Sequence, residues 1–156
     1  MFEVLSDSAI YEFENAPPAS LEFLADRYRR LESRHSADGS EQWLNWVIRL
    51  PSGALAGYVQ ATVIQGAAAY VAYELASRFW RQRIGSAAVR AVLGELATTY
   101  KVEVFLAVLK AKNFRSEALL RSLGFTDSPH SSLARIRCEP DELVMYKRHA
   151  RRENAV

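Results

Sequence analysis

Apolar residues gather in three short stretches in the middle of the chain, residues 43–50, 54–64 and 68–75, rich in β-branched and aromatic side chains. Each has the length of a strand rather than of a helix. Pro51-Ser52-Gly53 separates the first two and Gln65-Gly66 the second two. Both separators are turn formers, so the pattern predicts two hairpins in succession and an antiparallel meander. Upstream the period changes. Leu21, Leu24, Tyr28 and Leu31 fall on one face of a helix over residues 21–33, with Ser20 as N-cap and Pro17-Pro18 closing off what precedes it. Residues 2–13 read as a short helix or an irregular entry, and residues 33–40 as a polar loop.

Downstream, Ala88, Val89, Val92, Leu93 and Leu96 form the apolar stripe of a helix over residues 85–99. Residues 102–109 are almost continuously apolar, as in a strand covered on both faces. Asn113 is placed to cap a helix that turns Leu119, Leu120 and Leu123 inward and stops at Gly124. Residues 126–139 are polar and without period. Residues 142–148 alternate around Leu143 and Met145 as a last strand, and the basic tail from 147 to 152 frays. A meander followed by β-α-β-α-β gives an α+β fold, a mixed sheet with helices on both faces.

Composition narrows the classes. The chain has 156 residues, 49% hydrophobic and 24% charged, which suits one soluble domain over residues 1–150. A net charge of +2 implies no bulk affinity for nucleic acid. The single cysteine, Cys138, excludes an intrachain disulfide and suits a reducing, cytoplasmic setting. The acidic start is unlike a signal peptide, and no segment has the length of a membrane span. His35, His130 and His149 stand in polar loops or the tail without ligand spacing to Cys138, so no metal site is predicted.

The chemistry concentrates where the third strand runs through a basic turn (Arg78, Arg81, Gln82, Arg83) into Gly85-Ser86 and the long helix. A helix start carries unpaired N–H groups and the positive end of the macrodipole. Such a turn is an anion site, and its basic side chains favour phosphate, pointing to a ligand with a pyrophosphate.

Two motifs sharpen that reading. Trp80-Arg81-Gln82-Arg83-Ile84-Gly85 occupies the strand-to-helix turn, and Asn113-Phe114-Arg115-Ser116 opens a short helix ending in Leu123-Gly124-Phe125. The first is similar to the Arg/Gln-x-x-Gly-x-Gly/Ala signature of the GNAT superfamily of acyl-CoA-dependent N-acetyltransferases, and the second to its Asn-x-x-Ser element. The chain resembles most the branch that contains the ribosomal-protein N-terminal acetyltransferases. It departs from the pattern at Trp80, where the family has Arg or Gln, and at Arg83, the first glycine. A negative φ at Arg83 would let its side chain point outward while the backbone still meets the phosphates.

The resemblance implies a GNAT fold, in which two parallel strands splay and acetyl-CoA lies in the gap. It implies cofactor contacts from Leu75, Ala76, Arg81, Gln82, Arg83, Ile84, Gly85, Ser86 and Asn113, with strand N–H groups near Leu75 polarising the acyl carbonyl. A primary amine, on a peptide or a small molecule, would attack the thioester directly in a ternary complex. Each assignment has a plainer counterpart. Arg78, Arg81, Arg83 and Arg90 either reach phosphates or form a solvated face. Asn113 is a cofactor contact, an N-cap, or both. Ser116 either protonates the leaving thiolate, in a chain with Leu120 where many relatives have tyrosine, or is a helix serine. Glu74 is a general base raised by burial or a surface glutamate, and strand alternation puts Tyr73 on the opposite side. Trp43, Trp46, Tyr58 and Tyr73 line an acceptor pocket or belong to the core.

The family's first strand has no counterpart here. Either the exposed meander edge is buried in a homodimer, or residues 2–6 fold back on it as a strand. A catalytically silent binding or interaction module of the same fold is the alternative to an enzyme.

Overall fold

The computed structural model describes residues 1–64, 67–128 and 138–150. The expected Gln65-Gly66 turn, His130 and the end of the tail (151–156) lie outside them. A short helix α1 (Phe2–Leu5) and a 3-10 turn (Ser8–Tyr11) lead to helix α2 (Leu21–Leu31), capped by Ser20 through a bond from Phe23 N–H. Strands β1 (Glu41–Arg49), β2 (Leu55–Ile64) and β3 (Ala68–Leu75) form the meander. Helix α3 (Ile84–Thr98), strand β4 (Val104–Lys110), helix α4 (Phe114–Ser122) and strands β5 (Thr126–Asp127) and β6 (Glu142–Arg148) complete it. The six strands of the described residues lie in the order β1-β2-β3-β4-β6-β5. The fold is the expected α+β arrangement.

Side-chain alternation divides the sheet. The odd-numbered residues of β3, Ala69, Val71 and Tyr73, join Val59, Val89, Leu96, Phe105, Leu120, Phe125 and Met145 in one core beneath α3 and α4. On the other face α1 packs against β2, and Val4, Leu5 and Leu24 are buried. The predicted apolar face of α2 is only partly used, because Leu21 and Tyr28 remain exposed at 58% and 38%. The polar stretch after Gly124 contains the two-residue strand β5, too short to leave a period in the sequence.

The feature that positions the site is the one parallel pair. β3 and β4 pair only through Ala68–Tyr70 and Val104–Leu106. Beyond Tyr70 they diverge, and a gap opens at their C-terminal ends. Ala67 C=O accepts from Glu103 N–H and Val104 N–H at the start of β4, whereas Ala76 N–H donates to Ala56 C=O on the β2 side. Alternation between those fixed points turns the backbone N–H and C=O groups of Tyr73 and Leu75 into the gap.

At the far edge, Trp43 N–H donates to Arg34 C=O at 2.7 Å and Ser36 N–H to Glu41 C=O at 3.0 Å. Residues 34–36 therefore cover the first part of the outer edge of β1. The expectation that residues 2–6 would cap this edge as a strand is overturned. Phe2–Leu5 is helical, with Leu5 N–H and Ser6 N–H donating to Met1 C=O and Phe2 C=O, and its apolar Val4 and Leu5 face the sheet instead of its edge.

Candidate active site

The gap opens into a cavity of about 1190 Å³ between the ends of β3 and β4, the starts of α3 and α4, and the segment after α1. Of the residues singled out by sequence, Glu74, Leu75, Arg81, Arg83, Ile84, Gly85, Ser86, Asn113 and Ser116 all line it. Two do not. Ala76 is buried, and its N–H and C=O are engaged by Ala56 C=O and Phe79 N–H. The Gln82 side chain folds back to donate to Arg78 C=O at 2.9 Å, across a 3-10 turn (Ser77–Phe79) that the sequence did not announce.

The start of α3 has the features expected of an anion site. Its first bond runs from Ala87 N–H to Arg83 C=O, so the N–H groups of Ile84, Gly85 and Ser86 have no acceptor among the described residues. They face the cavity at the positive end of a 15-residue helix, flanked by Arg81 and Arg83. The negative φ under which Arg83 was to fit is not what the turn adopts: Arg83 has φ 62° and ψ 5°, and Arg81 a φ of 60°. The tight turn needs left-handed residues at 81 and 83, the second of them where the resembled signature has glycine, and this chain supplies both with arginine at a cost of about 1–2 kcal/mol each. Arg83→Gly therefore raises the melting temperature by about 2–4 °C per kcal/mol released. An unchanged or lower midpoint in calorimetry would show that Arg83 sits there without strain.

Gly85 also has a packing role, which the sequence did not announce. Its φ is not positive, and a Cβ there would stand 3.2 Å from Leu119 Cδ1 and 3.7 Å from Leu75 Cδ2. Its bareness lets α3 pack against β3 and α4. A valine here crowds that packing before it reaches any ligand.

Trp80 stands where relatives have Arg or Gln. Its indole Nε1 donates to Leu75 C=O at 2.8 Å, pinning the end of β3, and leaves Leu75 N–H facing the gap. The Arg115 guanidinium lies 4.5 Å above the Trp80 ring and near Phe13 and Phe114, and it pairs with Glu12. This cluster ties the segment after α1 to α4 across the cavity rim. Asp7 does the same at the turn, accepting from Ser77 N–H at 2.7 Å. Only tertiary structure joins these positions, so sequence reading missed them.

Glu74 and Tyr73 project to opposite faces of β3, as alternation required. Glu74 is half-buried, with Tyr11 Oη 3.3 Å from its Oε2 and Tyr58 beside it. Burial raises its pKa, against hydrogen bonds from Tyr58 and Tyr11 and the charge of Arg27, which lower it. Tyr58 and Tyr11 are themselves held neutral by burial and by the Glu74 charge. On the other face Tyr73 meets α4. Asn113 Oδ1 accepts from Ser116 N–H at 3.1 Å, the N-cap its position suggested, and this orients Ser116 toward Tyr73. Ser116 Oγ donates to Tyr73 Oη at 3.1 Å, and Tyr73 Oη donates to Ser116 C=O at 3.3 Å. Trp43 and Trp46 lie outside this cavity and line a second one of about 470 Å³ between α2 and the β1–β2 hairpin. Among the described residues no group of three His, Cys, Asp or Glu is arranged to hold a metal ion. Nor is any helix among them long and apolar enough to cross a membrane.

Comparison with solved structures recovers the same architecture. The spermidine N-acetyltransferase of Vibrio cholerae, in complex with CoA and spermine, superposes with a TM-score of 0.70 at 17% identity over 94% of this chain and 86% of that one. A phosphinothricin acetyltransferase from Sinorhizobium meliloti, in complex with AcCoA, gives 0.66 at 20% identity over 94% and 80%. The ribosomal-protein-S5-alanine acetyltransferase of Vibrio fischeri gives 0.67 at 16% identity over 94% and 87%. No curated protein matches the chain in sequence. The acetyltransferase (GNAT) domain model matches residues 1–126, across the meander, the anion turn and α4, and on this evidence the chain belongs to the GNAT acetyltransferase family.

Proposed function

We propose that the protein transfers an acetyl group from acetyl-CoA to a primary amine by direct attack in a ternary complex. The observation that carries this reading is the set of three N–H groups at Ile84–Ser86 without a partner among the described residues, beside a gap into which Leu75 N–H also points. The first suits a pyrophosphate and the second a carbonyl or amide of the same extended molecule. Bound acetyl-CoA supplies an activated acyl group as a thioester. Arg81 and Arg83 add charge at the phosphate end, and Asn113 orders the start of α4 beside the arm that would lie in the gap.

Glu74 acts as the general base. Its burial raises the pKa toward the range where a carboxylate accepts a proton from an incoming ammonium. The Ser116 end of the cavity protonates the departing sulfur. Neighbours of this fold are solved with spermine or named for phosphinothricin and a ribosomal-protein alanine, all amine-bearing acceptors. The acceptor here is read at that level, as a peptide α-amine or a small-molecule amine. Release of free CoA thiol from acetyl-CoA tests the proposal. It should require both protein and amine, whereas release at the buffer rate with peptide, polyamine and amino-acid acceptors alike would refute it.

A further inference from the structure

The leaving sulfur needs a proton, and two hydroxyls stand together where it would form. We propose that Tyr73 is the catalytic acid that hands over this proton, and that Ser116 is a positioning residue acting through it. The inference rests on the acetyl-transfer reading and assigns the acid within it.

The direction of the hydrogen bonds makes the distinction. Ser116 Oγ–H is committed to Tyr73 Oη at 3.1 Å, so its proton points at the phenol. Tyr73 holds its own proton against Ser116 C=O at 3.3 Å, a long bond to a helix carbonyl, and both side chains line the cavity. Rotation about the phenol C–O bond releases that proton without disturbing the bond that Tyr73 accepts. A serine donor would have to break its one good hydrogen bond first, leaving a far more basic oxygen behind. A phenol loses its proton more readily, and the charge left on Tyr73 Oη stays opposite a donor that is already aligned. Burial holds Tyr73 up at about 12, with the Ser116 bond pulling the other way, so the phenol keeps its proton at neutral pH. Position 120, where many relatives carry tyrosine, is a buried leucine, and Tyr73 reaches the same end of α4 from the strand.

The step balances. The amine nitrogen forms a bond to the acyl carbon, the C–S bond breaks, and sulfur leaves with its electron pair. The Tyr73 proton moves to sulfur, and the phenolate, held by Ser116 Oγ–H, recovers a proton from water. The proton shed by the amine leaves through Glu74.

The test needs no acceptor. CoA and desulfo-CoA, which lacks the sulfur, are titrated calorimetrically from about pH 7 to about pH 10, spanning the ionisation of an ordinary thiol. Arg27, Arg81, Arg83, Arg115, Glu14, Glu74, Tyr11 and Tyr58 face the same cavity and also act on a thiolate, but they are the same in the wild type and in Tyr73→Phe, so they cancel when the two proteins' CoA to desulfo-CoA ratios are compared. With a phenol donor at the sulfur, CoA gains about tenfold over desulfo-CoA as its thiolate forms, the worth of one charge-assisted hydrogen bond. Tyr73→Phe loses that gain and keeps the affinity for desulfo-CoA. Ser116→Ala keeps part of it, and Ser116→Thr restores it. In turnover, Tyr73→Phe lowers kcat by about a hundredfold at unchanged KM for acetyl-CoA, and Ser116→Ala by about tenfold or less. A gain that persists in Tyr73→Phe, or that vanishes only in Ser116→Ala, overturns the assignment. CoA binding without any gain in the wild type overturns it as well, while leaving the acetyl-transfer reading intact. Absence of CoA binding overturns both.

Discussion

Gly57→Ala lowers the melting temperature by about 10 °C or more, or prevents folding altogether. Gly57 pairs with Leu75 across the β2–β3 ladder, and a Cβ on it would stand 2.0 Å from Glu74 O and 2.9 Å from both Glu74 C and Leu75 Cα. All three atoms are backbone, so no side chain can swing aside. The strands would have to part at the end of β3 that carries the site. That places the change at the severe end of single substitutions, about 3 kcal/mol or more, worth about 2–4 °C each in a chain of this size. Gly94→Ala is the control of opposite sign. Gly94 is exposed on α3 with nothing within 4 Å of a built Cβ, and alanine there stabilises the helix by up to about 1 kcal/mol. Calorimetry on the two variants decides the matter. A Gly57→Ala midpoint within about 2 °C of the wild type would mean that the ladder tolerates a separation the packing argues against.

Glu74→Gln reduces turnover by about a hundredfold or more while leaving acetyl-CoA affinity unchanged, the loss typical of a removed general base. Glutamine keeps the shape and can still bond with Tyr11 and Tyr58, so the variant separates proton transfer from packing. The pH profile carries the sign. Burial raises the Glu74 pKa above its ordinary 4.5, so the base is protonated and inactive below that raised value. The acid limb of kcat/KM in the wild type therefore lies at higher pH than for an ordinary glutamate, and it is absent from Glu74→Gln. Equal rates and equal profiles in the two proteins would remove Glu74 from the mechanism.

Much of this site was legible because its parts are local. The anion turn, the Asn113 cap and the opposed faces of Tyr73 and Glu74 follow from spacing within one element and its neighbour. β3 falls where its apolar run placed it and β6 where alternation did, at Ala68–Leu75 and Glu142–Arg148. What escaped was non-local. Tyr11 reaches Glu74 across 63 residues, and Tyr73 and Ser116 meet across 43. No periodicity links such positions. The cluster of Arg115 with Trp80, Phe13 and Glu12 is hidden for the same reason, although Arg115 lies inside a motif that had been singled out. Arg83 shows a different limit. Its left-handed φ is dictated by the turn, against the preference of its own side chain, because tertiary context overrides local propensity at the entry to α3.

The central claim is that an acetyl-CoA lies in the gap with its pyrophosphate on the start of α3. A crystal structure of the protein grown with saturating CoA tests it most directly. The account predicts pyrophosphate oxygens within roughly 3 Å of the N–H groups of Ile84, Gly85 and Ser86, and the thiol end beside Tyr73 and Ser116. Density for CoA elsewhere on the surface, or a gap that remains filled only by solvent at saturating CoA, would contradict it.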